Sequence, residues 1–394
     1  MKSKYELLAP AGDFECLTAG INAGANAIYF GLQEFNMRAR AKNFKISDLP
    51  KIRKITKEKN IKLYLTLNTI IYDNEIKRLE SLIKKVKPFI DAIICSDISV
   101  MQLCKKYKIP FHVSTQCSVS NKETALFYKK LGASRIVLAR ELNLNQIRKI
   151  SKIIPVEIFI HGAMCVSVSG RCFLSQHMYN QSANKGLCIQ PCRRPYTVKD
   201  NEGNELKVNN QFIFSAKDLC TLPFFEKIKK SVAISFKIEG RNREPEYIDT
   251  VVKVYRKAID KKLSKQEIQQ SMVELEQVFN KGFSSGFYLG LPTSDDFSNV
   301  ENSNAKKSKQ FIGKILHYYD KIGVGLLKLN TGNLKINDEI IILGKTTGIV
   351  KAKIVSMEID NKKIIRAIKG QIIGIKMPKC RKNDDLYKII KRDN

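Results

Sequence analysis

The sequence predicts an α/β chain: a (β/α)8 TIM-like barrel followed by a small β-barrel domain. Three observations carry that expectation. Eight short apolar runs alternate with amphipathic helical stretches over the first 240 residues. About 75 residues separate the seventh run from the eighth, where a βα unit usually takes roughly 25. Beyond residue 308 the pattern turns to strands alone.

The eight runs are Glu6–Ala9, Ala27–Gly31, Lys62–Leu67, Ala92–Cys95, Phe111–Ser114, Arg135–Ala139, Val156–Ile160 and Ser235–Ile238. Each is β-branched or aliphatic, and most end at Gly, Asn, Ser or Asp, where a strand readily turns. Between them lie stretches such as Phe14 to Ala25 and Glu75 to Val86, and one opened by Asn121 as N-cap and closed at Gly132. Strands alternating with helices require parallel pairing and right-handed crossovers, and eight such units close a barrel. An open doubly wound sheet is the alternative, but no G-x-G-x-x-G follows the first run. A helix over Glu246 to Lys261 completes the barrel, and a further one near Lys265 to Asn280 follows it. The domain boundaries expected are a barrel over 1–291 with a Cys-rich insertion at 162–233, a polar linker at 292–308, and a β domain at 309–394. Its runs are Phe311–Leu316, Gly323–Leu329, Glu339–Leu343, Ile349–Met357 and Gln371–Ile375.

Composition narrows the function. A chain of 394 residues, 43% hydrophobic and 27% charged, is neither a disordered tail nor a small disulfide scaffold. No run of 18 apolar residues occurs and the start carries no secretory leader pattern, so a cytoplasmic protein without a membrane span is expected. Sixty-nine Lys and Arg against 38 Asp and Glu leave a charge of +31. Such a field attracts polyanions, nucleic acid above all, although a Lys-rich genome composition produces the same count.

Of ten cysteines, Cys16, Cys95, Cys104, Cys117 and Cys380 are scattered, whereas Cys165, Cys172, Cys188, Cys192 and Cys220 follow C-x6-C-x15-C-x3-C-x27-C inside the insertion. In a reducing compartment that pattern reads as metal binding or redox chemistry. Thiolates bind soft metals, and the absence of paired C-x2-C knuckles favours a 4Fe–4S cluster, with zinc as the alternative. Five thiols compete for four places, and Cys192, so near Cys188, is the alternate.

The remaining candidates sit where barrel strands end, the face on which such barrels work. His161 ends the seventh run, as a catalytic group or a buried structural one. A Cys165 or Cys172 nucleophile activated by His161 is the hydrolase alternative. Glu239 and Arg241 follow the eighth run. Arg241 offers a planar fork for an anion, and Glu239 orients it or exchanges protons, unless the two are only an ion pair. Arg38, Arg40 and Arg140 come from other loops at the same rim, which fits an anionic substrate better than a peptide.

Several blocks resemble the U32 (collagenase-like) peptidase family: Leu8-Ala9-Pro10-Ala11-Gly12, Met37-Arg38-Ala39-Arg40, Val137-Leu138-Ala139-Arg140-Glu141-Leu142, Lys237-Ile238-Glu239-Gly240-Arg241 and, most specifically, His161-Gly162-Ala163-Met164-Cys165 with Ser169-Gly170-Arg171-Cys172. The similarity runs over roughly residues 5–290, and the tail is similar to the β-barrel of translation elongation factor domain 2. The family name implies proteolysis. Members with this core and tail, however, are similar to tRNA hydroxylation proteins, which convert the wobble uridine 34 of the anticodon loop to 5-hydroxyuridine with an iron–sulfur cluster and prephenate. That resemblance implies Cys165, Cys172, Cys188 and Cys220 as cluster ligands and tRNA as partner, with Arg193 and Arg194 gripping phosphates. A third reading is a non-enzymatic RNA-binding accessory protein, and a protein partner stays open.

Overall fold

The computed structural model describes residues 4–168, 170–206, 214–300 and 303–392; Ser169 of the family motif lies outside them. Eight parallel strands close on themselves: β1 (Glu6–Ala11), β2 (Ala27–Phe30), β3 (Lys62–Leu67), β4 (Ala92–Cys95), β5 (Phe111–Val113), β6 (Arg135–Val137), β7 (Val156–Gly162) and β8 (Ser235–Ile238). They pair in chain order, and β8 bonds to both β1 and β7. The expected (β/α)8 barrel is the fold.

Helices α1 (Phe14–Asn22), α2 (Leu49–Glu58), α3 (Ile76–Val86), α4 (Ile98–Lys106), α5 (Lys122–Leu131) and α6 (Leu144–Ser151) cross over between the first seven strands. Asn121 caps α5 by accepting from the Thr124 amide, and Gly132 ends it at φ 104°. The insertion after β7 carries α7 (Leu174–Tyr179), a short strand Asp218–Cys220 antiparallel to the end of β7, and α8 (Phe225–Lys229). Helices α9 (Pro245–Asp260) and α10 (Lys265–Glu276) follow β8. Pro245 fits the first turn of α9, where no amide donor is needed.

The lumen is charged rather than apolar, unlike the packed hydrocarbon of an ordinary barrel. Near the strand starts, Glu157 on β7 is fully buried between Lys237 at 2.8 Å and Arg135 at 3.1 Å. Glu6 on β1 also pairs with Arg135, and accepts from Tyr64 at 2.7 Å and Ser235 at 2.8 Å. Two carboxylates thus face two cations, so this layer is neutral and its ions are hydrogen-bonded, as burial demands.

The C-terminal domain begins at β9 (Lys307–Tyr319) and continues through β10 (Val324–Leu329), β11 (Glu339–Gly344), β12 (Gly348–Lys353), β13 (Ile372–Lys376) and β14 (Asp385–Lys391), with shorter strands between. These belong to an eight-stranded antiparallel sheet around its own core, which includes Ile312, Leu327, Ile340, Ile373 and Leu386. Strand β14, absent from the expected runs, is central: it pairs with both β9 and β11. The polar 292–308 segment is tied to the insertion, the Lys217 amide donating to Asp296 O and the Ser298 amide to Ser215 O. The domain docks on α1 and α9. Thr18 Oγ1 donates to Lys345 O at 2.7 Å, and Lys309 pairs with Glu246 at 2.7 Å. A groove of about 840 Å3 runs between the two domains, lined in part by Asn242, Arg243 and Glu244 of the loop after β8. No helix among the described residues is long and apolar enough to cross a membrane.

Burial works to raise the Glu157 carboxyl, but Lys237, Arg135 and His112 outweigh it and hold it at about 2, against an ordinary 4.5. Its contribution to stability is therefore complete above the ordinary value and is lost as pH falls from about 4.5 toward 2. Glu157→Gln, which leaves Lys237 buried without a carboxylate while Arg135 keeps Glu6, is expected to cost about 3–5 kcal/mol at pH 7. Urea titrations should show that deficit at neutral pH and its disappearance near pH 2; a variant as stable as the parent at pH 7 contradicts the assignment.

Candidate functional site

Above the neutral layer the balance changes. Glu239 lies just past β8 and accepts from Arg38 at Nε (3.2 Å) and Nη2 (3.0 Å). Burial would raise this carboxyl, yet Arg38, Arg140 and Arg241 together hold it down at about 2. Tyr29 on β2 donates to Ile238 O at 2.8 Å, with Glu239 Oε2 at 3.4 Å. Arg241, only 5% exposed, has neutral partners: Nη1 donates to Thr66 Oγ1 at 2.7 Å and Nη2 to Asn36 Oδ1 at 2.6 Å. Burial and the neighbouring Arg38 push its pKa down to about 10. Gly31, just after β2, lies so close to this guanidinium and to Asn36 and Asn43 that a Cβ there would collide with all three.

Arg140 completes the set. Its guanidinium stacks on the Phe159 ring, 3.8 Å from the centroid, and Nη1 donates to Ala163 O at 2.7 Å. Its buried Nε has no partner, and burial lowers its pKa. Three arginines therefore meet one carboxylate at the mouth, a surplus of two positive charges held out of water. The residues expected from strand ends, Glu239, Arg241, Arg140 and Arg38, are brought together; Arg40 is exposed outside this set. The space between them is small, about 40 Å3, room for a few waters.

That insertion lies across the mouth, and cationic side chains bind it down. Arg171 Nη2 donates to Gln116 O at 2.9 Å, Lys185 Nζ to Ile70 O at 3.0 Å, and Gly186 packs against the Asn36–Ala39 backbone. Arg193 donates to Ser215 Oγ at 3.1 Å and to the carbonyls of Ala216 and Met164. Its guanidinium is thus a clasp inside the insertion, not the free phosphate grip expected for it. Arg194 is exposed, with Nη1 donating to Tyr179 Oη.

Four of the five clustered thiols share this lid. Cys165 and Cys188 are exposed, Cys172 and Cys192 half-buried. Burial raises the Cys192 thiol; Arg193 opposes it, and Cys165, Cys188 and Cys172 push it further up. Cys165 follows Met164, whose Sδ lies 3.2 Å from Arg140 Nη1, so the chain itself joins the thiol segment to the rim arginines. Cys220 stands apart. It is 3% exposed, and its Sγ lies 3.7 Å from Tyr255 Oη and 3.8 Å from Met272 Sδ, beneath α9 and α10. Burial takes its pKa up to about 11, and Asp218, not another thiol, is the charged group that adds to the rise. Cys192, the expected alternate, is thus half-buried in the insertion like Cys172, whereas Cys220, an expected ligand, faces Tyr255. Four thiols are a donor set suited to a soft metal. No three His, Cys, Asp or Glu side chains among the described residues are close enough to ligate one.

His161 also turns away from the mouth. A register shift between β7 and β8 opposes His161 to Ile238, and one residue of slip moves a side chain to the other face of a strand. The ring is 1% exposed, packed among Tyr247, Tyr255 and Phe283, with Nδ1 3.3 Å from Tyr255 Oη. Burial pushes its pKa down to about 3, so it is neutral and faces no lid thiol. Gly162 follows at φ 106°, where a Cβ would strike the Glu239 carbonyl. Sequence reasoning missed Lys237, Thr66, Asn36 and Tyr29. The period-two series Ser235, Lys237, Glu239 carried the signal, since three polar residues on one side of a buried strand must share the lumen.

Residues 12–297 match the model of peptidase family U32. The chain belongs to that family. Among its U32 relatives, a collagenase of Porphyromonas gingivalis is 41% identical over 99% of both chains. The tRNA hydroxylation protein P1 of Bacillus subtilis is 35% identical over 80% of this chain and 78% of its own. The 23S rRNA 5-hydroxycytidine C2501 synthase of Escherichia coli is 34% identical over 79% of this chain and 48% of its own. The U32 match spans the barrel from α1 onward, the thiol lid and the 292–297 segment; it begins just after β1 and stops before the C-terminal domain.

Native alkylation followed by mass spectrometry tests the thiol placement. Cys165 and Cys188 should be modified first, Cys172 and Cys192 more slowly, and Cys220 only on unfolding. Equal rates at Cys220 and Cys165 would refute the separation described here.

Proposed function

We propose that the chain hydroxylates an RNA pyrimidine, the wobble uridine 34 of tRNA, to 5-hydroxyuridine. The observation that carries this reading is the joint placement of four lid thiols and a lumen with two uncompensated arginines at one mouth. The relatives named for tRNA and rRNA hydroxylation support it. Cys165, Cys172 and Cys188 are three thiolate donors for a 4Fe–4S cluster. Cys192 takes the fourth place if the lid contracts as it stands, and Cys220 if the strand Asp218–Cys220 turns its thiol over. Such a cluster, when bound, supplies one-electron chemistry at the mouth.

The protein's own groups do the remaining work. Arg140 and Arg241 bind the carboxylates of a small anionic co-substrate, prephenate. Glu239 holds Arg38 in a fixed fork beside it, and the lid shuts out water once the guest is seated. An unpaired anticodon base reaches the mouth without the cost of opening a duplex.

Peptidolysis is the second reading, favoured by the collagenase among the relatives. It lacks support in the site: His161 is buried against Tyr255, so no lid cysteine has an imidazole from β7 to activate it.

Nucleoside mass spectrometry of tRNA from a strain lacking the gene should show loss of 5-hydroxyuridine and its derivatives. The intact gene should restore them and Cys165→Ala should not. Unchanged nucleosides with lost gelatin cleavage would establish the peptidase instead, and full rescue by Cys165→Ala would remove the cluster from the reaction. Iron content of Cys192→Ser and Cys220→Ser proteins, purified without oxygen, identifies the fourth ligand. Prephenate at a hundred times its Kd should stabilise the protein by about 2.7 kcal/mol. Arg241→Met should lose that stabilisation, and a variant that keeps it places prephenate elsewhere.

A further inference from the structure

The lid turns large apolar side chains toward water. Phe173 is 70% exposed, Val166, Val168, Met178 and Tyr179 are exposed close to it in sequence, and Phe214 is exposed farther along the insertion. Single exposed apolar residues are ordinary, but six in the segment that carries the thiols are a surface with a purpose. The aromatic members are interleaved with charge. The Arg194 guanidinium lies over the Tyr179 ring, 5.0 Å from its centroid. Tyr196 meets Phe214 edge-on at 5.9 Å. Tyr196 Oη donates to Pro191 O at 2.8 Å, which holds that ring beside the Cys192 turn.

We propose that Phe173, Tyr179, Arg194, Tyr196 and Phe214 form a stacking platform for the unpaired RNA nucleotides that flank the reacting base. The proposal rests on the RNA reading above and adds the surface that seats the strand. Exposed rings and a guanidinium plane accept any base face, and they discriminate against duplex RNA, whose bases are already stacked. A protein partner would also use aromatic residues and arginine. RNA is favoured because the platform borders the thiol face, so a strand bringing its base to the mouth must cross it, and because the chain carries a charge of +31.

The full chain, purified without oxygen, serves for the test. It contains no tryptophan, so Phe173→Trp adds a single indole that can be excited apart from the tyrosines. Its fluorescence should be quenched by a single-stranded oligoribonucleotide and left unchanged by a duplex of equal length. Phe173→Ala and Tyr179→Ala should each weaken single-strand binding by about five- to a hundredfold. The salt dependence should stay that of the parent, because no phosphate contact is lost. Thermal unfolding at the parental temperature shows that the exposed substitutions leave the fold intact. If the parent binds RNA and both variants bind it equally well, the platform is refuted while the RNA reading stands. If the parent binds no RNA, both fail. If Phe173→Ala leaves RNA affinity unchanged and abolishes self-association in sedimentation, the surface joins copies of the chain and the proposal is overturned.

Discussion

A charge withdrawn from water must meet an opposite charge or be held at a cost of several kcal/mol. That constraint divides the barrel lumen into two layers with different tasks. In the lower layer Glu6 and Glu157 answer Arg135 and Lys237, every ion has hydrogen-bonded partners, and nothing is left over. In the upper layer Glu239 answers Arg38 alone, while Arg140 and Arg241 rest on carbonyls, hydroxyls, an amide and an aromatic face. A lumen that only needed stability would not hold that surplus. The imbalance lies on the side where the strands end, which is where such barrels carry out chemistry.

The lid depends on the same surplus of basic residues. Arg140, Arg171, Lys185 and Arg193 all donate to backbone carbonyls on or under the insertion. Part of the large positive charge is therefore structural: it fixes a segment of little regular secondary structure over the mouth. A guanidinium clasp suits this task because its several N–H groups reach separate carbonyls from one rigid plane. Arg193 illustrates the point, since it joins Met164, Ser215 and Ala216.

Strand and helix order was legible because each barrel strand is a short apolar run and each helix has a matching face. The rim arginines were legible because they follow strand ends. The side to which a residue points was less so. His161 and Cys220 both sit at expected positions along the chain, yet a bulge turns His161 outward and antiparallel pairing places Cys220 beside it, both meeting Tyr255 of α9. Register and bulges depend on contacts between distant segments, and spacing within one segment does not encode them. Strand β14 escaped for a related reason. Asp385-Leu386-Tyr387-Lys388-Ile389-Ile390-Lys391 is half polar, and only the antiparallel neighbours on both sides make it a central strand.

The appended domain acts on the mouth through the loop that follows β8. That loop carries Glu239 and Arg241 and leads into Glu244, Glu246 and Asp249 of the α9 region. Lys309 of β9 pairs with Glu244 and Glu246, and Lys351 of β12 with Asp249. Each exposed pair alone contributes little. Asp249 and Lys309 are partly withdrawn from water, however, and Gly348 packs against Thr18 of α1 at the same interface. The two domains thus hold the start of α9 from both sides. A shift of that helix would move Glu239 relative to Arg38, whose fork tolerates little displacement. The C-terminal sheet therefore supports the geometry of the mouth from a distance, whatever else it binds.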